Sequence, residues 1–136
     1  MTTVPDSRPT VGLLRDTETE MASAVLTEQR QVLGRRLQEG ASGAEVMAAL
    51  TELVDGLLVG RYKNAARRIG EDALVAGSQH CCLVALGGYG RRELSPYSDI
   101  DVMFLYREEA AEVAPALSRE VLHHLWDLGF QVGHSV

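Results

Sequence analysis

Residues 82–106 read CLVALGGYGRRELSPYSDIDVMFLY, and the rest of the chain is organised around them. An apolar run, Leu83 to Leu86, meets a glycine-rich turn containing Gly87, Gly88 and Gly90. The chain then crosses a polar loop and enters a second apolar run that carries Asp99 and Asp101. Side chains alternate faces along a strand, so Asp99 and Asp101 point one way and Ile100 the other. Val102, Met103, Phe104 and Leu105 offer apolar groups to both faces, which predicts a strand covered on both sides. Two carboxylates at the mouth of such a strand repel each other and resist desolvation unless a cation lies between them. Oxygen-only ligands favour magnesium or manganese over zinc.

The glycines supply a complementary half. Gly87 and Gly88 follow a strand directly, permit positive backbone dihedrals and leave no side chain in the way of a bulky anion, so successive N–H groups can face a phosphate. Arg91 and Arg92 come next; Arg91, nearest the glycines, is the better phosphate ligand, and Arg92 reads as a surface group. Glu93 is placed to orient an arginine or cap the turn. The pattern is neither the G-x-G-x-x-G dinucleotide fingerprint nor a Walker loop. A metal on one side and backbone donors on the other make a site for a nucleoside triphosphate.

The order of apolar strand, Gly-Gly, ten residues, Asp-Ile-Asp and apolar strand resembles the signature of the polymerase-beta-type nucleotidyltransferase superfamily. Within it, GGYGRRELSPYSDID and the closing LWDLGFQVGHSV resemble the N-terminal region of the PII uridylyltransferase/uridylyl-removing family. The resemblance is close over residues 82–136. It implies that Asp99 and Asp101 hold catalytic Mg2+ or Mn2+, that Gly87 and Gly88 face the triphosphate, and that Ser98 belongs to the same nucleotide-binding turn; Gly90 and Arg91 are read from their place in the turn as further nucleotide-binding residues. It further implies UTP as donor and a tyrosine of the PII nitrogen-regulatory protein as acceptor. That family carries phosphohydrolase and glutamine-sensing domains and a third catalytic carboxylate on a later strand, so the chain reads as an N-terminal fragment. Two alternatives stand beside this one. One is a protein adenylyltransferase of the glutamine synthetase type; the other is a non-catalytic module that binds nucleotide or a partner protein.

Composition narrows the field. The chain has 136 residues, 46% of them hydrophobic, and a net charge of −6, which suits one soluble globular domain and argues against a general nucleic-acid-binding surface. No stretch approaches the roughly 18 apolar residues needed to span a bilayer. MTTVPDSRPT lacks the pattern of a signal peptide, so the cytoplasm is expected. Cys81 and Cys82 are adjacent at a strand entrance, where their side chains diverge, and read as thiols rather than as a disulfide or zinc site.

Residues 1–16 read as a flexible tail. A helical region spans 17–70. Its first helix opens at Thr17-x-x-Glu20, carries apolar stripes through Met21, Val25 and Val32 and through Ala22, Leu26, Leu33 and Leu37, and ends at Gly40. Ser42 with Glu45 opens a second, which packs Val46, Leu50, Leu53, Val54, Leu57 and Leu58 and runs through Gly60 to a stop at Gly70. Arg61, Lys63, Arg67 and Arg68 crowd its end, a placement that suits the helix dipole and solvent first and a phosphate contact second. Residues 71–136 form the incomplete nucleotidyltransferase core, with a helix from Glu108 to Leu128 and a strand from Phe130 to Val136. Trp126 is expected in the core, and Tyr89 and Tyr97 over the loop or against a base. The histidines at 123 and 124 point apart, and His134 and Ser135 have at most a positioning role. The fold class is therefore α/β (α+β): a small mixed sheet with flanking helices, nucleotidyltransferase-like and truncated after the third strand.

Overall fold

A computed structural model describes residues 17–136; the tail expected over residues 1–16 lies outside the described residues. The first helix, α1 (Thr17–Gln38), starts at the Thr17…Glu20 element and buries Ala22, Leu26 and Leu33, so the second of the two apolar stripes is the inner one. Helix α2 (Gly43–Ile69) opens on a complete capping box. The Glu45 N–H donates to Ser42 Oγ at 3.1 Å and the Ser42 N–H donates to the Glu45 carboxylate at 3.0 Å. It then runs past Gly60 and buries Val46, Leu50, Val54 and Leu58 on one face.

Gly70, at φ 140°, turns the backbone in a way that residues with side chains rarely follow. A third helix, α3 (Glu71–Gln79), restarts there and is absent from the sequence reading. Its inner residues, Ala73, Ala76 and Gly77, are too small to make an apolar stripe. They let α3 lie close to α2, where the Tyr62 hydroxyl donates to the Gly77 carbonyl at 2.8 Å.

The sheet has the order β1 (Cys81–Leu86), β2 (Ile100–Tyr106), β3 (Val132–Ser135). Strands β1 and β2 are antiparallel and β2 and β3 parallel, so β2 is central. Between β1 and β2 comes one helical turn, α4 (Gly87–Gly90); between β2 and β3 come a 3-10 turn, Glu108–Ala110, and helix α5 (Ala114–Asp127). The helix therefore begins six residues later than expected. Pro115 has no N–H to continue a ladder from upstream and sits instead in the first turn of α5. Strand β3 is likewise shorter than the run from Phe130 to Val136.

Ile100, Val102 and Phe104 are buried in one core with Val54, Leu58, Val121, Leu122 and Leu125 from α2 and α5. Each contributes about 1.5–3 kcal/mol of apolar burial. The other face of β2 corrects the expectation of two covered sides: Leu105 is 55% exposed, and no helix of the described residues covers it. Helices α2 and α5 lie on the same face of the sheet, so the alternate residues of β1 and β2 are left open.

Two further side chains depart from expectation. Arg61 is buried, 5% exposed, and bridges three helices: its guanidinium donates to Glu18 of α1 at 2.8 Å and to Glu120 of α5 at 2.9 Å. Partners 43 and 59 residues away turn a residue read as a solvent-facing helix-end charge into a buried clamp. Trp126 is 36% exposed, because it stands one position off the inner face of α5 marked by Leu122 and Leu125, and it lies between His123, tilted against it, and His134, which it meets edge-on.

Candidate nucleotide site

The site lies where β1 ends, β2 begins and β3 runs alongside. Leu86 pairs with Asp101, and Asp101 pairs with Gly133, so the Asp101 side chain is flanked by the glycine turn on one side and a strand glycine on the other. The fit is close. A Cβ on Gly87 would stand 2.9 Å from Asp101 Oδ2, and Gly87 also takes a left-handed φ of 57°. A Cβ on Gly133 would collide with Asp101 Oδ1. The carboxylate thus fills the space that two missing side chains leave.

Asp99 stands just before β2 and is exposed; Asp101 is half-buried. Among the described residues neither carboxylate has a hydrogen bond or an ion pair. Unpartnered oxygens in a cradle of glycines suit a hard divalent cation. Two carboxylates with substrate oxygens and water completing the shell are the usual magnesium arrangement. No group of three or more candidate metal-ligating side chains occurs among the described residues.

The loop between the strands is, by contrast, tied to α2 along its length. The Tyr89 hydroxyl donates to Asp55 at 2.7 Å, Arg92 donates to Glu52 at 3.0 Å, and the Leu94 N–H donates to the Thr51 hydroxyl at 3.3 Å. Burial raises the Tyr89 phenol well above its ordinary pKa, and the Asp55 carboxylate that takes its hydrogen bond raises it further, so the phenol stays a donor. Arg92 is held at φ 61°, a conformation costing roughly 1–2 kcal/mol for a residue with a side chain. Its tie to Glu52 is exposed and adds little.

The remaining candidate residues separate into those at the turn and those drawn away from it. Gly88 has room: a Cβ there would meet nothing nearer than the Glu93 carbonyl at 3.5 Å, so packing does not demand a glycine. Gly90 is demanded by packing, since its Cβ would lie 2.7 Å from the Ala85 carbonyl oxygen. Arg91 stays beside Gly88 and is exposed, pairing with Glu93 at 3.0 Å. Ser98 closes the following turn, its hydroxyl accepting from the Ser95 N–H at 2.8 Å. Tyr97 is 99% exposed, whereas Tyr89 is buried. His134 leans on Trp126, away from Asp101.

Comparison with known proteins fits this geometry. The DUF294 nucleotidyltransferase family model matches residues 27–134, four-fifths of the chain, from within α1 into β3. The chain belongs to that family. Among curated relatives of this DUF294 domain is the bifunctional uridylyltransferase/uridylyl-removing enzyme of Caulobacter vibrioides, 34% identical over 116 residues, which cover 85% of this chain and 12% of the relative. Enzymes of the same name from Nitrosospira multiformis and Hydrogenovibrio crunogenus are 37% and 36% identical, covering 82% and 90% of this chain and 12% and 13% of theirs. The chain therefore spans about an eighth of the length of these relatives. No solved structure matches.

Sequence reasoning missed two parts of this candidate site. One is Gly133, whose signal was a glycine inside a predicted strand, a mark of close approach by another group. The other is the trio Thr51, Glu52 and Asp55 on α2, which carries no signal in the sequence because its partners lie 43, 40 and 34 residues away.

Proposed function

We propose that this domain binds a magnesium or manganese complex of a nucleoside triphosphate and belongs to an enzyme that transfers a nucleotidyl group to a protein hydroxyl. UTP is the donor in this reading and a tyrosine of the PII signalling protein the acceptor, in the cytoplasm. The observation that carries it is the Asp101 carboxylate, seated between Gly87 and Gly133 beside Asp99 with no protein partner. Residues 71–136 form the chemical core and residues 17–70 the support behind it.

In the reaction the acceptor oxygen forms a bond to the α-phosphorus while the bond to pyrophosphate breaks and the phenolic proton leaves. A phenol of pKa about 10 is mostly protonated at neutral pH and a triphosphate is strongly anionic. A bound divalent ion supplies the positive charge that eases both difficulties. Asp99 and Asp101 would hold it. The turn at Gly87 and Gly88, with its open space at Gly88, would receive the triphosphate; Arg91 stands beside it to pair with phosphate oxygens. Ser98 fixes the turn that leads into Asp99. Because α2 holds the loop in place before any ligand arrives, positioning is the main contribution of this chain.

Calorimetric titration of UTP and ATP, with and without magnesium, tests the reading on the wild-type chain and on Asp99→Asn/Asp101→Asn. The expected result is magnesium-dependent binding, tighter for UTP and at least roughly a hundredfold weaker in the double variant, which corresponds to about 2.7 kcal/mol. Nucleotide binding that needs no metal and survives the double substitution would overturn it. Tighter binding of ATP would move the donor to the adenylyl class.

A further inference from the structure

A second cavity lies on the helix side of the sheet, away from the carboxylates. It has a volume of about 340 Å3 and opens between α2 and the edge strand β1. Its walls are Leu58, Val59 and Tyr62 from α2 and Cys81, Cys82, Leu83 and Ala85 from β1. Cys81, Leu83 and Ala85 alternate with Leu86, which pairs with Asp101, so most of the β1 wall faces the side of the sheet opposite the carboxylates. A mostly apolar hollow with a few polar groups, near the lower end of the roughly 300–1,000 Å3 range, is the usual form of a small-molecule site.

The polar groups decide what it takes. Asp55 and Lys63 both line the cavity, eight residues apart on α2, which separates them by about 12 Å along the axis. The two ends of an α-amino acid, on one carbon, cannot span that distance. Asp55 is already engaged by the Tyr89 hydroxyl. Lys63, the chain's one lysine, is exposed at the cavity and has no ion pair among the described residues. Burial holds the Cys81 thiol above its ordinary pKa, so it adds no competing negative charge. A triphosphate, with several charges, is poorly matched to one ammonium.

We propose that this cavity binds a small monocarboxylate with an apolar body, the carboxylate on Lys63 and the body against Leu58, Val59 and Leu83. Tyr89 forms part of the wall and also belongs to the Gly87–Gly90 turn, so a ligand here touches that turn from behind. An influence on nucleotide affinity follows only if the nucleotide reading above holds; the binding itself does not rest on it.

The probes are sodium octanoate and the uncharged 1-octanol, titrated into the chain and followed by calorimetry. Maleimide labelling of Cys81 in a Cys82→Ser background gives a readout local to the cavity. Octanoate is expected to saturate, to slow Cys81 labelling severalfold, and to bind roughly tenfold more weakly to Lys63→Gln, a loss of charge pairing that leaves octanol unaffected. Val59→Trp, at a half-exposed position on α2 and checked for folding by circular dichroism, is expected to fill the cavity and abolish both binding and protection. Absence of saturable octanoate binding to a chain shown folded by circular dichroism overturns the proposal. So does octanol binding as tightly as octanoate, or protection that persists in Val59→Trp.

Discussion

The two halves of the candidate site are built in opposite ways. The glycine loop is bound to helix α2 by three successive contacts, through Tyr89, Arg92 and Leu94, and closes on itself through Ser95 and Ser98. Asp99 and Asp101, a few residues further on, have no polar protein partner among the described residues. The loop is therefore part of the scaffold, finished when the chain folds, whereas the strand end keeps carboxylate oxygens that no donor among the described residues occupies. Substitutions in the first half should act on stability, and substitutions in the second on binding.

The largest expected effect tests the scaffold half. Gly90→Ala puts a Cβ 2.7 Å from the Ala85 carbonyl oxygen, and a backbone atom inside a strand cannot move aside cheaply. Overpacking of this kind costs about 1–3 kcal/mol. Urea unfolding should show the loss in full. A chain as stable as wild type would mean that the turn is not held against β1.

Gly133→Ala tests the other half. Its new Cβ meets the free end of the Asp101 side chain, which can swing away, so stability should change by less than about 1 kcal/mol while magnesium–UTP binding falls roughly tenfold. Equal losses in both measurements would erase the distinction between the halves. Unchanged binding would mean that the place of Asp101 between Gly87 and Gly133 is not where the magnesium–nucleotide complex is held.

Much of this architecture is visible in the sequence because it is local. The capping box of Ser42 and Glu45, the stop at Gly70, the apolar runs of β1 and β2 and the i, i+2 spacing of Asp99 and Asp101 each involve neighbours along the chain. What escapes is whatever depends on register or on distant partners. Gly133 gains meaning only once β3 is paired with β2 so that it stands opposite Asp101. Arg61 is a helix-end charge in the sequence and a three-helix clamp in the fold, because Glu18 and Glu120 arrive from other helices. Helix α3 escapes because Ala73, Ala76 and Gly77 bury too little apolar surface each to mark a face. The open face of β2 was misread for a related reason: Met103 and Leu105 have apolar side chains, but whether a layer covers them is not a property of β2.

The smallest expected effect concerns the bond between Tyr89 and Asp55, where the pinning of the loop can be read through pH. Tyr89→Phe removes one hydroxyl and leaves the Asp55 carboxylate, which is half-exposed, to water; the loss is about 1 kcal/mol. Burial first, and the charge of Asp55 second, raise the phenol's pKa in the folded chain. A group raised in this way gives its full stabilisation below its unfolded pKa of about 10 and loses it as the pH climbs further, because the unfolded chain releases the proton first. Tyr62 is raised in the same direction by burial, but it is present in both proteins and cancels in their difference. Wild type should therefore exceed Tyr89→Phe by a constant margin between pH 7 and 9 and lose that margin above about pH 10. Urea unfolding of both proteins across this range measures the margin directly. A margin that persists unchanged to pH 11 would mean that the phenol is neither buried nor held by Asp55, and the loop would then be no better anchored than the carboxylates beside it.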